Sequence, residues 1–283
     1  MMSSGQGFKL SERLRMVADM AGTDIASLAD VGCDHGWLGI SLLLEGHAAH
    51  VIGMDLREGP LSHARENALA SGLESDRFET RLSDGLDRLA PGEADVIVMA
   101  GMGGVLMCGL LSRGIETARA AKRLVLSPQS HIEEVRALLA AEGFVITDER
   151  MCRESGKYYT AMCVSFRENI TNNGCFGKTG EFTYTLSDEE LFFGPILIKK
   201  GEPLFLEYVM GMRDKARKRL SEIRKGNGTK PQEENVTEPD ERGNISVAAG
   251  IKPGAAHEDG YDPEAYFERI LRSAETVLET HRR

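Results

Sequence analysis

The chain has 283 residues, 41% of them hydrophobic and 28% charged, and a formal net charge of −10. That length holds one sizeable core plus a smaller unit. The acidity opposes any phosphate-binding role unless the basic residues are segregated, because such binding is driven by Lys and Arg releasing counterions. The five cysteines, Cys33, Cys108, Cys152, Cys163 and Cys175, form no CxxC and no metal-ligand spacing, so they read as reduced core thiols of a cytosolic protein. The seven histidines are scattered, without HExxH, and no bound metal is expected. The N-terminal stretch lacks an apolar signal core and no apolar run reaches about 18 residues, so membrane insertion and secretion are not expected and a cytoplasmic location is.

The first chemically informative segment is SLADVGCDHGWLGISLLL (27–44), an apolar strand that enters a turn and then a helix. The turn reads Asp30-x-Gly32-x-Asp34-x-Gly36. Gly32 and Gly36 permit positive φ and close backbone approach, and a strand-to-helix turn aims free N–H groups at a ligand above it. The G-x-G-x-x-G spacing that receives a dinucleotide pyrophosphate is absent. Two carboxylates would repel a pyrophosphate but suit a ligand carrying cations, such as the ammonium and sulfonium of S-adenosylmethionine. The pattern resembles the first motif of Rossmann-like methyltransferases, with Asp34 where a glycine is usual; an ordinary turn of another α/β protein is the competing reading.

The strand HVIGMDL (50–56) ends in Asp55 about 20 residues after the loop, the separation at which an acid meets ribose hydroxyls; a solvated strand end is the alternative. EGPLSHARENALASGL (58–73) has helical spacing and stops at Gly72. RFETRLSDGL (77–86) reads as a strand ending in Ser83-Asp84-Gly85. In methyltransferases an acid there commonly meets the adenine amino group, whereas an Asp-Gly turn needs the same residues for its backbone geometry. ADVIVMAGMGG (94–104) is the near-continuous apolar run of a strand buried on both faces. Enzymes that methylate exocyclic amines usually carry Asn/Asp-Pro-Pro-aromatic here. Ala100-Gly101-Met102-Gly103-Gly104 offers no polar side chain to hold an amine, so that chemistry is disfavoured. One helix (GLLSRGIETARAAK), a fifth strand RLVLSPQ (123–129), a helix ended by Gly143, and two long strands around Glu154-Ser155-Gly156-Lys157 complete the unit.

Taken in order, LSERLRMVADM (10–20), LADVGCDHGWL (28–38), RLSDGL (81–86), MAGMGG (99–104), LSPQ (126–129), ESGKYY (154–159) and EELFFGP (189–195) resemble the bacterial tRNA adenine N1-methyltransferases that modify position 22. The resemblance covers about the first 200 residues and weakens afterwards. It implies S-adenosylmethionine as donor, tRNA as substrate and a helical C-terminal domain. Cys33 and Asp55 stand where serine and glutamate are expected. The donor site implied comprises Asp30, Gly32, Cys33, Asp34, Gly36, Asp55, Leu56, Ser83, Asp84, Gly85, Ala100, Gly101, Met102 and Gly103.

Charge is segregated toward the C-terminus. Residues 199–230 carry ten Lys or Arg against four acids, while 231–262 carry eight acids against two bases. Leu204, Tyr208, Met212, Ala216, Leu220 and Ile223 recur at helical steps, leaving Arg213, Arg217, Lys218, Arg219, Arg224 and Lys225 as candidates for an RNA backbone or as a solvated face. After Asp262-Pro263 a second helix places Tyr266, Ile270, Ala274, Val277 and Leu278 on one face, and the two helices should pair antiparallel.

The expected fold is therefore α/β: a Rossmann-like methyltransferase domain over 1–168, mostly parallel and ending in a β-hairpin. A connecting segment and helical hairpin follow over 169–283, with helices about 202–225 and 262–282 and a flexible linker 226–260. The expected activity is methyl transfer from S-adenosylmethionine to N1 of an adenine in tRNA. Asp34 either stabilises the cationic product, holds the donor ammonium or caps the next helix; His35 is either a base or orienting donor or a plain helix-start residue. The alternatives are a methyltransferase for another RNA base or a small molecule, and a non-catalytic RNA-binding protein on the same scaffold.

Overall fold

The structure, a computed structural model, describes residues 9–171, 185–226 and 262–282. Cys175 and the expected linker beyond Gly226 lie outside the described residues. In chain order the elements are α1 (Glu12–Ala21), β1 (Ile25–Val31), α2 (Trp37–Leu44), β2 (Ala48–Asp55), α3 (Glu58–Ala70), β3 (Phe78–Leu82), β4 (Val96–Ala100), α4 (Gly104–Arg113), α5 (Ile115–Ala120), β5 (Arg123–Ser127), α6 (Ile132–Ala141), β6 (Phe144–Glu154) and β7 (Lys157–Phe166). Then come α7 (Arg167–Thr171), α8 (Asp188–Phe193), α9 (Pro195–Lys200), α10 (Pro203–Arg224) and α11 (Pro263–Thr280).

Seven strands form one sheet in the order β3-β2-β1-β4-β5-β7-β6, with β7 antiparallel to both neighbours and the other pairs parallel. This is the expected mostly parallel sheet closed by a hairpin. Because side chains alternate across a strand, adjacent residues feed opposite layers. Leu28, Val51, Val98 and Val125 pack on one face with α1, α2 and α3. Ala29, Ile52, Ile97 and Leu124 pack on the other with α4 and α6. Both faces being covered explains why these strands read as continuous apolar runs. The order reverses between β1 and β4, and the loops leaving their carboxyl ends diverge there, which opens a crevice above the sheet.

Three details depart from the pattern expected of the sequence. The single helix expected after the fourth strand is two, α4 and α5, broken at Gly114, where an added Cβ would lie 2.5 Å from the Leu86 Cβ. The third strand ends at Leu82, and Ser83–Leu86 has left the ladder. On α10 the fully buried residues are Phe205, Val209, Ala216 and Leu220, so the stripe is rotated from the one through Leu204 and Ile223, which are only half-buried. On α11 the expected face holds: Ile270, Ala274, Val277 and Leu278 are buried, joined by Ser273.

The two long helices run antiparallel, since Arg217 pairs with Glu275 at 2.9 Å and Arg224 with Glu264 at 2.8 Å. They are held against the sheet edge. Arg153 of β6 pairs with Glu207 of α10 at 2.9 Å, and the Tyr266 hydroxyl donates to Glu133 of α6 at 2.9 Å. Beneath them Arg136 and Glu149 form an ion pair at 2.9 Å with side chains 1% and 0% exposed. The other Glu149 oxygen accepts the Ile196 amide at 2.9 Å, and Arg136 donates to the Leu191 carbonyl at 2.7 Å. This pair pins α8 and α9 to α6 and β6. Gly194, with φ +88, sits directly on the Glu149 carboxylate, where any side chain would collide; that approach accounts for the glycine in FFGP.

Candidate donor and acceptor site

The loop between β1 and α2 is built around its glycines. Gly32 (φ +76) donates its amide to the Met54 carbonyl at 2.8 Å, and Cys33 donates to the same oxygen at 3.0 Å, which draws the loop over the end of β2. Gly36 (φ +73) packs so closely that an added Cβ would lie 2.8 Å from the Phe78 ring and 3.0 Å from the Ala64 methyl. Asp34 between them also has positive φ, +51, a strained state for a residue with a Cβ.

Asp30, near the end of β1, is buried. Burial raises its carboxyl group to about 7, reinforced by the charge of Asp55 and then of Asp34, against a lowering hydrogen bond from the Gly39 amide. The same surroundings, burial first and then the Asp30 and Asp55 charges, push the Cys33 thiol far up, so it is a neutral packing group. Asp55, the last residue of β2, is also buried, and its Oδ1 accepts the Arg57 amide at 3.0 Å. Leu56 beside it is 55% exposed, an apolar surface facing solvent at the rim of the crevice.

Asp34 and His35 are neighbours at the surface, with His35 Nε2 3.7 Å from Asp34 Oδ2. Neither caps α2: its N-cap is Gly36, with no side-chain hydrogen bond, which corrects the capping role considered for Asp34. Nor does His35 start the helix, since it precedes Gly36; its carbonyl accepts from Asn67 Nδ2 at 3.0 Å.

At the end of β3, Ser83 is buried, and its hydroxyl donates to the Gly85 carbonyl at 3.0 Å and accepts the Arg88 amide at 3.2 Å. Gly85 has φ +59, and Asp84 lies 2.7 Å from Arg113 of α4. The turn reading of this segment is thus physically satisfied, and the Asp84 carboxylate is engaged by a cation.

The loop after β4 faces the loop after β1. The Met102 methyl lies 3.2 Å from where a Cβ on Gly32 would sit. Gly101 (φ +83) donates to Ser127 at 3.3 Å, and Gln129 donates its amide to the Met102 carbonyl at 2.9 Å. Gly103 is the N-cap of α4, without a side-chain cap. Two side chains to which no site role was assigned approach Gly101: a Cβ there would lie 3.8 Å from Arg13 Nη1 and 3.9 Å from Gln129 Nε2. Both lie in segments that carry the family resemblance, 10–20 and 126–129, and Gln129 also stands just past the fifth strand, at the same end of the sheet.

The crevice therefore gathers Asp30, the Gly32–Gly36 loop, Asp55, Leu56 and Ala100–Gly103. The six basic residues of α10 are elsewhere, on the helix that packs along β6. Four of them are ion-paired: Arg213 with Asp214, Arg217 with Glu275, Arg219 with Glu222, and Arg224 with Glu264 and Glu268. Among the described residues Lys218 and Lys225 have no ion-pair partner. No group of three or more His, Cys, Asp or Glu able to hold a metal ion occurs among the described residues, and no described helix is long and apolar enough to cross a membrane.

A parallel sheet reversed at β1/β4, closed by an antiparallel hairpin and carrying an acidic glycine loop at the reversal, defines a Rossmann-like methyltransferase, and residues 10–162 match the family model described as "Methyltransferase domain". The chain is 32% identical over 200 residues to the tRNA (adenine(22)-N(1))-methyltransferase of Bacillus subtilis, covering 70% of this chain and 79% of that protein. The crystal structure of a Streptococcus pneumoniae protein, described as a candidate tRNA (m1A22) methyltransferase, superposes with TM-score 0.71 at 26% identity, covering 95% of this chain and all of that one. A structure of that protein in complex with S-adenosyl-L-methionine gives TM-score 0.70 at 25% identity, with 95% and 100% covered. The chain belongs to the tRNA (adenine(22)-N1)-methyltransferase family.

Proposed function

We propose that the protein transfers a methyl group from S-adenosylmethionine to N1 of adenine 22 in tRNA. The observation that carries this reading is the juxtaposition of a buried acid, Asp30, and the exposed acidic loop after β1 with a β4 loop that has no amine-holding side chain. When bound, S-adenosylmethionine supplies an electrophilic methyl on a sulfonium. The residues fit such a ligand. Gly32 leaves the backbone bare, Asp55 stands at the strand end where ribose hydroxyls are held, and Asp30 and Asp34 bring acidic character to a ligand with two cationic groups. The exposed Leu56 is the apolar surface for a purine ring.

N1 of adenine carries an in-plane lone pair and needs no deprotonation before attack. The protein's task is then chiefly to align N1 with the methyl and exclude alternatives. The product base is cationic, and the role assigned to Asp34, an exposed acid at positive φ, is to stabilise that charge.

In this reading residues 1–168 are the catalytic domain, 169–283 the connecting segment and helical hairpin, and the site of action is the cytoplasm. The hairpin's basic residues meet the tRNA backbone. Their ion pairs are largely exposed, and such pairs are worth about 0–1 kcal/mol, so phosphate displaces the carboxylates at little cost. The test is methylation of bulk tRNA with labelled donor followed by nucleoside analysis. Label in 1-methyladenosine at position 22 is expected; label in another nucleoside, or none, overturns the reading.

A further inference from the structure

The β4 loop leaves a question that its glycines do not answer: no side chain on Ala100–Gly103 can recognise a base. The side chains that come within 4 Å of a Cβ built on Gly101 belong to two other elements, Arg13 at the start of α1 and Gln129 after β5. Gln129 is exposed, and among the described residues its side-chain amide makes no hydrogen bond. Its backbone is nevertheless fixed by the 2.9 Å bond to Met102, the residue whose methyl reaches Gly32 of the donor loop. Arg13 is held too. Its amide donates to Glu154 at 3.4 Å, its guanidinium lies 5.2 Å from the centre of the Tyr159 ring, and its buried Nε has no partner among the described residues. One loop thus touches the donor side through Met102 and these two polar groups through Gly101.

We propose, resting on the adenine N1 reading above, that Gln129 and Arg13 form the acceptor subsite: Gln129 reads the N6/N7 edge of the target adenine and Arg13 holds a phosphate of the same nucleotide. The chemistry selects these roles. N1 must be left bare for attack, so the base can be gripped only on the edge carrying N6 and N7, and a side-chain amide is the group that pairs with that edge in two places. Gly101, lacking a side chain, leaves a flat floor on which the ring can lie beside the amide. The guanidinium cannot share the base edge, because methylation makes the ring a cation and the two charges would repel. Its natural partner there is the phosphate anion, which Arg recognises with paired N–H groups.

The deciding experiment compares Gln129→Ala with the wild type on tRNA carrying adenosine or 7-deazaadenosine at the target position. The 7-deaza base lacks the N7 acceptor but keeps N1. The wild type is expected to lose about 5- to 10-fold in kcat/KM on the 7-deaza tRNA, the value of one hydrogen bond. Gln129→Ala is expected to lose about 10- to 100-fold on adenosine and nothing further on the 7-deaza base, with donor affinity unchanged by calorimetry. Equal 7-deaza losses in the two proteins, a wild type indifferent to the change, or a variant with wild-type kcat/KM would overturn the Gln129 assignment. For Arg13→Gln, a salt slope of tRNA binding reduced by about one unit is expected, with the 7-deaza loss retained; an unaltered slope would overturn the phosphate role. A wild type that places no methyl on N1 refutes the underlying functional reading instead, and this outcome is distinct from the others.

Discussion

The stability of Asp30→Asn relative to wild type should rise with pH. In the folded protein the Asp30 carboxyl is raised to about 7 by burial and by the charges of Asp55 and Asp34, from an ordinary 3.8. The unfolded chain therefore releases this proton near pH 4 while the fold retains it to about 7. Over that interval the native state binds more protons, so stability falls as pH rises, and above about pH 7 the penalty is constant. A shift of about 3 units corresponds to a ceiling of about 4 kcal/mol. Asparagine has no charge to bury, but its amide N–H2 needs a partner in place of the lone pairs, a pH-independent cost of about 1–3 kcal/mol. The pH-dependent part is cleaner: the stability of Asp30→Asn relative to wild type should grow by about 3 kcal/mol between pH 5 and pH 8. Urea unfolding of both proteins at pH 5, 6, 7 and 8, extrapolated to water, measures it. A difference that stays flat across that range would refute the account of Asp30 as a carboxylate buried against its neighbours' charges.

Asp55→Ala should weaken S-adenosylmethionine binding by about 2 kcal/mol, as expected for loss of hydrogen bonds to a charged group; unchanged affinity by calorimetry would remove the ribose assignment. Asp34→Asn should lower kcat with little effect on donor or tRNA affinity if the charge stabilises the product cation, and a fall in donor affinity instead would reassign it to the ammonium. Replacing Lys218 and Lys225 together with glutamine should reduce the slope of log tRNA affinity against log salt by about one unit for each phosphate no longer neutralised, and an unchanged slope would return these residues to a solvated face. Glu149→Ala should cost about 3–5 kcal/mol by leaving Arg136 buried without its partner, whereas a joint Arg136→Met, Glu149→Leu replacement should recover most of it; equal losses in chemical denaturation would show that the pair is not the source.

Much of the local backbone at the β1 and β4 ends was legible because glycine spacing and apolar runs report it directly. Gly32 and Gly36 were singled out for positive φ and have it, and the apolar run within 94–104 read as a strand buried on both faces, which Val96–Ala100 is before the glycines begin. The donor-loop residues share a crevice because they all follow strands of a parallel sheet, and the alternation of strands and helices implies that geometry. Ser83-Asp84-Gly85 could not be resolved the same way. A turn and a ligand-binding acid call for the same residues, and only the approach of Arg113 from α4 shows what the Asp84 carboxylate touches.

The sequence by itself determined the class of fold, the position of the glycine loop, the acidic character of the donor end and the existence of two amphipathic helices near the C-terminus, since each depends on residues close together in the chain. Tertiary structure alone decided which charges are free. Arginines that looked like one basic stripe are matched with acids of the same helix and of α11, and the hairpin is tied to β6 and α6 through Arg153–Glu207 and Tyr266–Glu133. It also brought Arg13 and Gln129, far apart in the chain, together beside Gly101. The reason is physical: a local pattern constrains φ, ψ and the buried face, whereas the partner of a long polar side chain depends on strand order and on how distant elements pack.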